Sequence, residues 1–96
     1  MSVKAIIELQ AKPGKRSELL KALDDVLENR KHAPGFINVM RYEVIDDHDK
    51  VVEIAEWVSP EARQTWLEKS MESGVLNRLM GMLSVPFKAI TIRELE

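Results

Sequence analysis

The 96-residue sequence predicts an α+β fold with the ferredoxin-like order strand, helix, strand, strand, helix, strand (βαββαβ). Three observations predict it. Apolar residues alternate with period two near both ends of the chain and in two adjacent central segments. Helical spacing fills the stretches between them. Proline–glycine or serine–proline signals stand at nearly every junction.

Residues 3–11 place Val3, Ala5, Ile7, Leu9 and Ala11 on one face and Lys4, Ile6, Glu8 and Gln10 on the other, the alternation of a strand. Lys12-Pro13-Gly14-Lys15 ends it. Over residues 15–31 the period changes: Leu19, Leu20, Leu23, Val26 and Leu27 form one apolar stripe, opposite Glu18, Lys21, Asp25 and Glu28. Lys31 and His32 lie near the C-terminus of this helix, the end that favours cations, and Ala33-Pro34-Gly35 stops it. Residues 36–45 and 51–58 read as an antiparallel hairpin, with Asp46-Asp47-His48-Asp49-Lys50 as its polar connection. Ser59-Pro60-Glu61 starts the second helix with a capping hydroxyl, a proline at the first position and an acid in the first turn. That helix carries Ala62, Trp66 and Met71. Ser73-Gly74 breaks it, and a further helical piece with Val75, Leu76, Leu79, Met80 and Leu83 runs to Pro86. Phe87 to Leu95 alternates again as the fourth strand.

Two helices cover one face of such a four-stranded antiparallel sheet. The other face is expected to hold Ile6, Ile90, Ile92 and Trp57, mixed with Lys4, Glu8, Glu53 and Lys88. That mixture is too apolar for water and too polar for a monomer's core. A second copy is expected to cover it, giving a homodimer in which two sheets face each other as a dimeric α+β barrel.

Length and composition set further bounds. Residues 1–96 are the size of a single domain. A chain that is 45% hydrophobic and 31% charged is globular rather than disordered. The absence of cysteine excludes disulfides, thiolate metal sites and thiol catalysis. No apolar run approaches the ~18–20 residues of a membrane span, and the N-terminus runs straight into a strand, so a cytoplasmic protein without membrane contact is expected. Eight basic and eight acidic residues in positions 1–48, then six and eight, leave no basic face for nucleic acid. Phosphate loops, dinucleotide fingerprints, nucleophile elbows and HExxH are all missing. The acidic run at 46–49 lacks the spacing and glycine of a calcium loop, so no metal site is expected.

The side chains that can carry chemistry are few. Trp66 shares the inner stripe of the second helix with Ala62 and reads either as core or as a platform for a flat ligand. His32, beside a helix end, can reach a pocket mouth, whereas His48 sits in an acidic turn. Asn38, Met40 and Tyr42 share one face of the second strand. If that face turns to the helices it brings an amide and a phenol to Trp66; if it turns outward they are interface residues. Met40, Met71, Met80 and Met82 read as core filling or as a soft pocket wall.

Lys12-Pro13-Gly14-Lys15, Ala33-Pro34-Gly35-Phe36, Glu56-Trp57-Val58-Ser59-Pro60-Glu61-Ala62 and Ser84-Val85-Pro86-Phe87, in that order and spacing, resemble the antibiotic biosynthesis monooxygenase family of dimeric α+β barrels. The resemblance spans almost the whole chain. It implies a homodimer with a pocket between helices and sheet in each subunit. It also implies, for some members, oxidation of quinols or aromatic polyketides by O2 with neither metal nor flavin. Other members degrade haem, and many have no known activity. The resemblance also implies a role for Trp66, since polyketide oxidases and haem degraders both place a Trp on this helix. The polyketide oxidases have an Asn one turn earlier, where this chain has Ala62. Haem degraders need an Asn on the first strand, where Ile7 stands, and an axial His after the second helix; no His follows His48.

The resulting expectation is a cofactor-independent monooxygenase acting on a small reduced aromatic such as a quinol or anthrone. Tyr42, Asn38 or His32 would move the proton, and Trp66, Met40, Met71 and Leu79 would contact the substrate. The alternative is a non-catalytic ligand-binding or interaction module on the same dimeric fold. Haem binding ranks third.

Overall fold

The computed structural model describes residues 2–96. Its elements are β1 (Val3–Gln10), α1 (Arg16–Arg30), β2 (Phe36–Val44), β3 (Asp47–Trp57), α2 (Pro60–Ser73), α3 (Asn77–Gly81) and β4 (Lys88–Ile92). The four strands form one sheet in the order β2-β3-β1-β4, with every pairing antiparallel. This is the ferredoxin-like topology that the alternation of periods predicts.

Local chemistry explains the boundaries. Ser59 caps α2 through its hydroxyl, which accepts the Ala62 N–H at 3.1 Å, and Pro60 follows at the first helical position. Gly74 ends α2 in the left-handed conformation, φ 79°, and the chain restarts as the short α3. Leu19, Ala22, Leu23 and Val26 bury the inner stripe of α1 against Val3, Ala5, Ile7 and Leu9 of β1 in one core. Trp66 from α2 and Leu76, Leu79 and Leu83 from the following segment close that core.

The structure corrects the sequence reading in three places. The hairpin tip is residues 45–46, and β3 starts at Asp47. The Ala11 N–H donates to the Asp49 carbonyl at 2.8 Å and Gln10 pairs with Lys50, so the sheet recruits a polar stretch in which His48 is exposed and Asp47, Asp49 and Lys50 are half-buried. Next, Trp57 and Glu53 lie on the helix-covered face, not the open one, each only 1% exposed. Their partners across the sheet, Val3 and Ile7, face the helices, and directly paired residues share a face. Lastly, β4 is limited to Lys88–Ile92, and its residues are exposed. The open face carries Ile6, Val52, Ile54, Met40, Ile90 and Ile92. Among the described residues, no helix is long and apolar enough to cross a membrane.

Candidate functional site

The last turn of α1 delivers an arginine into the core. Arg30 continues the stripe of Leu23 and Val26 and is 2% exposed. A guanidinium there needs a carboxylate, because an uncompensated buried charge costs several kcal/mol. Glu53 of β3 supplies it: Arg30 Nη2 donates to Glu53 Oε1 at 3.2 Å. The second oxygen, Oε2, accepts from Arg41 Nε of β2 at 3.1 Å, and Arg41 Nη1 reaches Asp24 Oδ1 at 2.6 Å. Burial alone would lower the Arg41 pKa, but the hydrogen bonds and charges of Asp24 and Glu53 outweigh it and hold it above its ordinary value.

An aromatic cluster packs against this network. Phe36 meets Trp57 edge-on with centroids 5.3 Å apart, and Trp57 lies 5.7 Å from Trp66 at a tilt of 37°. The Arg30 guanidinium lies 5.6 Å from the Phe36 centroid and 5.5 Å from that of Trp66, within cation–π range. Trp66 Nε1 donates to Asn29 Oδ1 at 3.0 Å, tying α2 to the end of α1. Arg63, one turn before Trp66 and half-buried, completes the cationic side. Its pKa is lowered by burial, and the Arg30 charge lowers it further.

Trp66 is the common wall of two spaces. Inside, between helices and sheet, lies a cavity of about 30 Å³ lined by Ile7, Arg30, Glu53, Arg63, Trp66 and Leu79. It has room for a water but not for an aromatic ring. Outside, between the 33–35 turn and α2, lies a cleft of about 580 Å³ that includes Asn29, His32, Val58, Ala62 and Ser70 in its lining. That volume lies within the ~300–1,000 Å³ of small-molecule sites. The buried Ser70 hydroxyl has no hydrogen-bond partner among the described residues.

The expected site residues divide accordingly. His32 and Trp66 share the outer cleft, and Leu79 shares the inner cavity with Trp66. Met71 is 54% exposed and lines neither space. Asn38, Met40 and Tyr42 are on the opposite face of the sheet, paired with Glu56, Ile54 and Val52, so they do not join Trp66. The reason is a register shift between Phe36 and Asn38. It lets Phe36 pack on Trp57 while Val39 and Arg41 point inward and Asn38 outward. Arg30, Glu53, Arg63 and Asn29 were not among the expected residues. Arg30 had a signal, since it falls on the α1 stripe, and Arg63 had one in standing a turn from Trp66. No group of three or more metal-ligating side chains gathers among the described residues.

Comparisons with known proteins agree with this architecture. The chain resembles SnoaB, a cofactor-independent oxygenase from Streptomyces nogalater solved as a point mutant, at a TM-score of 0.85 and 15% identity, over 99% of this chain and 94% of that one. It resembles Rv0793 from Mycobacterium tuberculosis at 0.82 and 19% identity, over 100% and 97% of the two chains. A conserved protein from Methanosarcina mazei Go1 matches at 0.85 and 15% identity, over 98% and 93%. At these identities the likeness is one of fold. No protein of curated function matches the sequence. The family model described as antibiotic biosynthesis monooxygenase matches residues 2–71, the greater part of the chain, and the protein therefore belongs to the antibiotic biosynthesis monooxygenase family.

Proposed function

We propose that the protein is a cofactor-independent monooxygenase that oxidises a small reduced aromatic, a quinol or anthrone, with O2. The observation that carries this reading is the position of Trp66 between an open cleft of ligand size and a small buried cavity with a charged wall. A flat substrate stacks on the indole from the cleft side. Loss of a proton makes it electron-rich enough to reduce triplet O2 by one electron. The substrate radical and superoxide then combine at carbon, and the hydroperoxide loses water. For an anthrone the balance is a ring methylene plus one O2 giving a ring carbonyl plus one water. The protein's tasks are to hold the ring, favour the deprotonated form and keep bulk water from the radical pair. His32, in the lining of the same cleft, is the proton acceptor in this scheme. The homodimer belongs to the same proposal: the open sheet faces of two copies meet, with Asn38, Met40 and Tyr42 in the interface rather than in the site.

The test is metal-free O2 consumption on a panel of quinols and anthrones, with wild type beside Trp66→Phe and a protein-free autoxidation control. Uptake well above the control, falling at least about tenfold in the variant, is the expected result. Uptake equal to autoxidation across the panel would remove the oxygenase reading. One observation favours a second reading, a ligand-binding module without catalysis: Ala62, in the cleft lining beside Trp66, carries no polar side chain, and the inner cavity is closed to rings. Saturable binding of the same aromatics without uptake would select it.

A further inference from the structure

We propose that Arg63 and Arg30 form an anion subsite, and that the aromatic ligand of this protein carries a carboxylate which docks there. The inference rests on the reading of the Trp66 region as a ligand site and adds the substrate's charge. Two guanidiniums, Arg30 and Arg63, line the inner cavity with one carboxylate, Glu53. Both Glu53 oxygens are already engaged, one by Arg30 and one by Arg41. Arg63 makes no ion pair among the described residues, and burial and then the Arg30 charge lower its pKa. Arg30, almost wholly buried, has an Nε without a hydrogen-bond partner among the described residues. One positive charge and unused guanidinium donors therefore border a space that already admits something the size of a water.

A protein rarely half-buries an uncompensated cation beside another without a partner for it. A carboxylate is the complementary group, since a guanidinium presents its N–H donors in a fork that fits two oxygens. The aromatic neighbours add the second half of the ligand. Arg30 lies against the rings of Phe36 and Trp66, so a carboxylate bound at the cationic wall has its own ring beside the indole. A hydroxylated aryl carboxylic acid matches both halves; a neutral naphthol or anthrone matches only one. The inner cavity admits no ring as it stands, so the ring stays on the cleft side, and the wall at Trp66 must shift and join the two spaces for the carboxylate to reach the arginines.

The test is calorimetric titration at neutral pH with 1-hydroxy-2-naphthoate and with 1-naphthol, which share a ring and a hydroxyl and differ in the carboxylate. Wild type is expected to bind the acid about tenfold or more tighter than the naphthol, the scale of one charge-assisted interaction. Arg63→Gln is expected to bring the two affinities within about threefold, chiefly by weakening the acid, and Arg63→Lys to restore part of the preference. Circular dichroism and a melting curve on each variant separate loss of charge from loss of fold. An acid that binds no tighter than the naphthol in wild type, or a preference that survives Arg63→Gln, would overturn the subsite. Binding of neither compound would overturn the subsite and the ligand site together. Acid preference without any O2 uptake would leave the subsite standing and defeat only the oxygenase reading.

Discussion

Gly35 shows how much of this site depends on a single hydrogen atom. It sits at φ 86°, and its carbonyl accepts the Val58 N–H at 2.8 Å, locking the turn after α1 to the end of β3. A Cβ built there would lie 2.7 Å from Ala62 Cβ and 2.8 Å from Val58 Cγ2. Gly35→Ala therefore meets two penalties: about 1–2 kcal/mol for a left-handed alanine and about 1–3 kcal/mol for overpacking. At roughly 4–8 °C per kcal/mol for a domain of this size, the melting temperature is expected to fall by ~8 °C or more. Gly81 is the contrast. It closes α3 at an ordinary helical φ, and an added Cβ meets nothing within 4 Å. Gly81→Ala is expected to raise stability by about 0.5–1 kcal/mol. Parallel melting curves decide both, and equal shifts in the two variants would deny the close approach at Gly35. The turn itself was legible, because Pro34-Gly35 is a local signal. What Gly35 touches was not, since Ala62 is far along the chain and only the packed α2 brings it near.

At the scale of the element, β3 is the strand that the sequence reading turned the wrong way round, and the cause is physical. Val51, Glu53, Ala55 and Trp57 alternate with Val52, Ile54, Glu56 and Val58, so each face offers a glutamate and apolar groups. Side-chain polarity alone then places Glu53 in water. Burial of Glu53 becomes tolerable only because Arg41 and Arg30 reach it from β2 and α1, across sequence separations of 12 and 23 residues. The parity of β2 depends in the same way on a register shift that leaves no mark in composition. By contrast β1, α1 and the start of α2 rest on alternation, a single stripe and a cap, all short-range, and these were legible to within a residue or two. The price of the network is that it fails as a unit. Glu53→Gln keeps the shape but strips the charge that balances Arg30, and it is expected to destabilise by about 3–5 kcal/mol. Arg78→Ala, which breaks an exposed 2.7 Å pair with Asp25, is expected to cost less than about 1 kcal/mol. Urea unfolding of the two variants checks the difference. A Glu53→Gln protein as stable as the Arg78 variant would mean that the buried carboxylate does not hold the arginines in place.

The whole molecule is a slab, 38 × 33 × 19 Å, its thin dimension holding one sheet and one layer of helices. The helices leave the outer sheet face uncovered, with Met40, Ile90 and Ile92 exposed along it and Ile90 at 61%. Lys4, Glu8, Lys50 and Lys88 lie among the apolar residues on that face. The Glu8 carboxyl is held below its ordinary pKa by its hydrogen bond to Lys50 and by the charges of Lys50 and Lys88. That pairing is complete above the usual carboxylate range and is lost only as pH falls through the lowered value, so the face stays charge-balanced at neutral pH. A second copy placed on it buries the isoleucines while the charged residues pair across or along the rim, and a stable interface needs roughly 800 Å² from each partner. Ile90 is the residue on which to test this, because its outward side chain contributes little to the chain's own core. Wild type at micromolar concentration is expected to sediment with twice the mass of one chain. Ile90→Glu puts a charge into each copy's half of the proposed contact and is expected to sediment as a monomer with an unchanged circular dichroism spectrum. If wild type sediments as a monomer across the micromolar range, the open face does not pair copies of this chain. If Ile90→Glu remains dimeric, the copies meet elsewhere, and Asn38, Met40 and Tyr42 are then free to face something other than themselves.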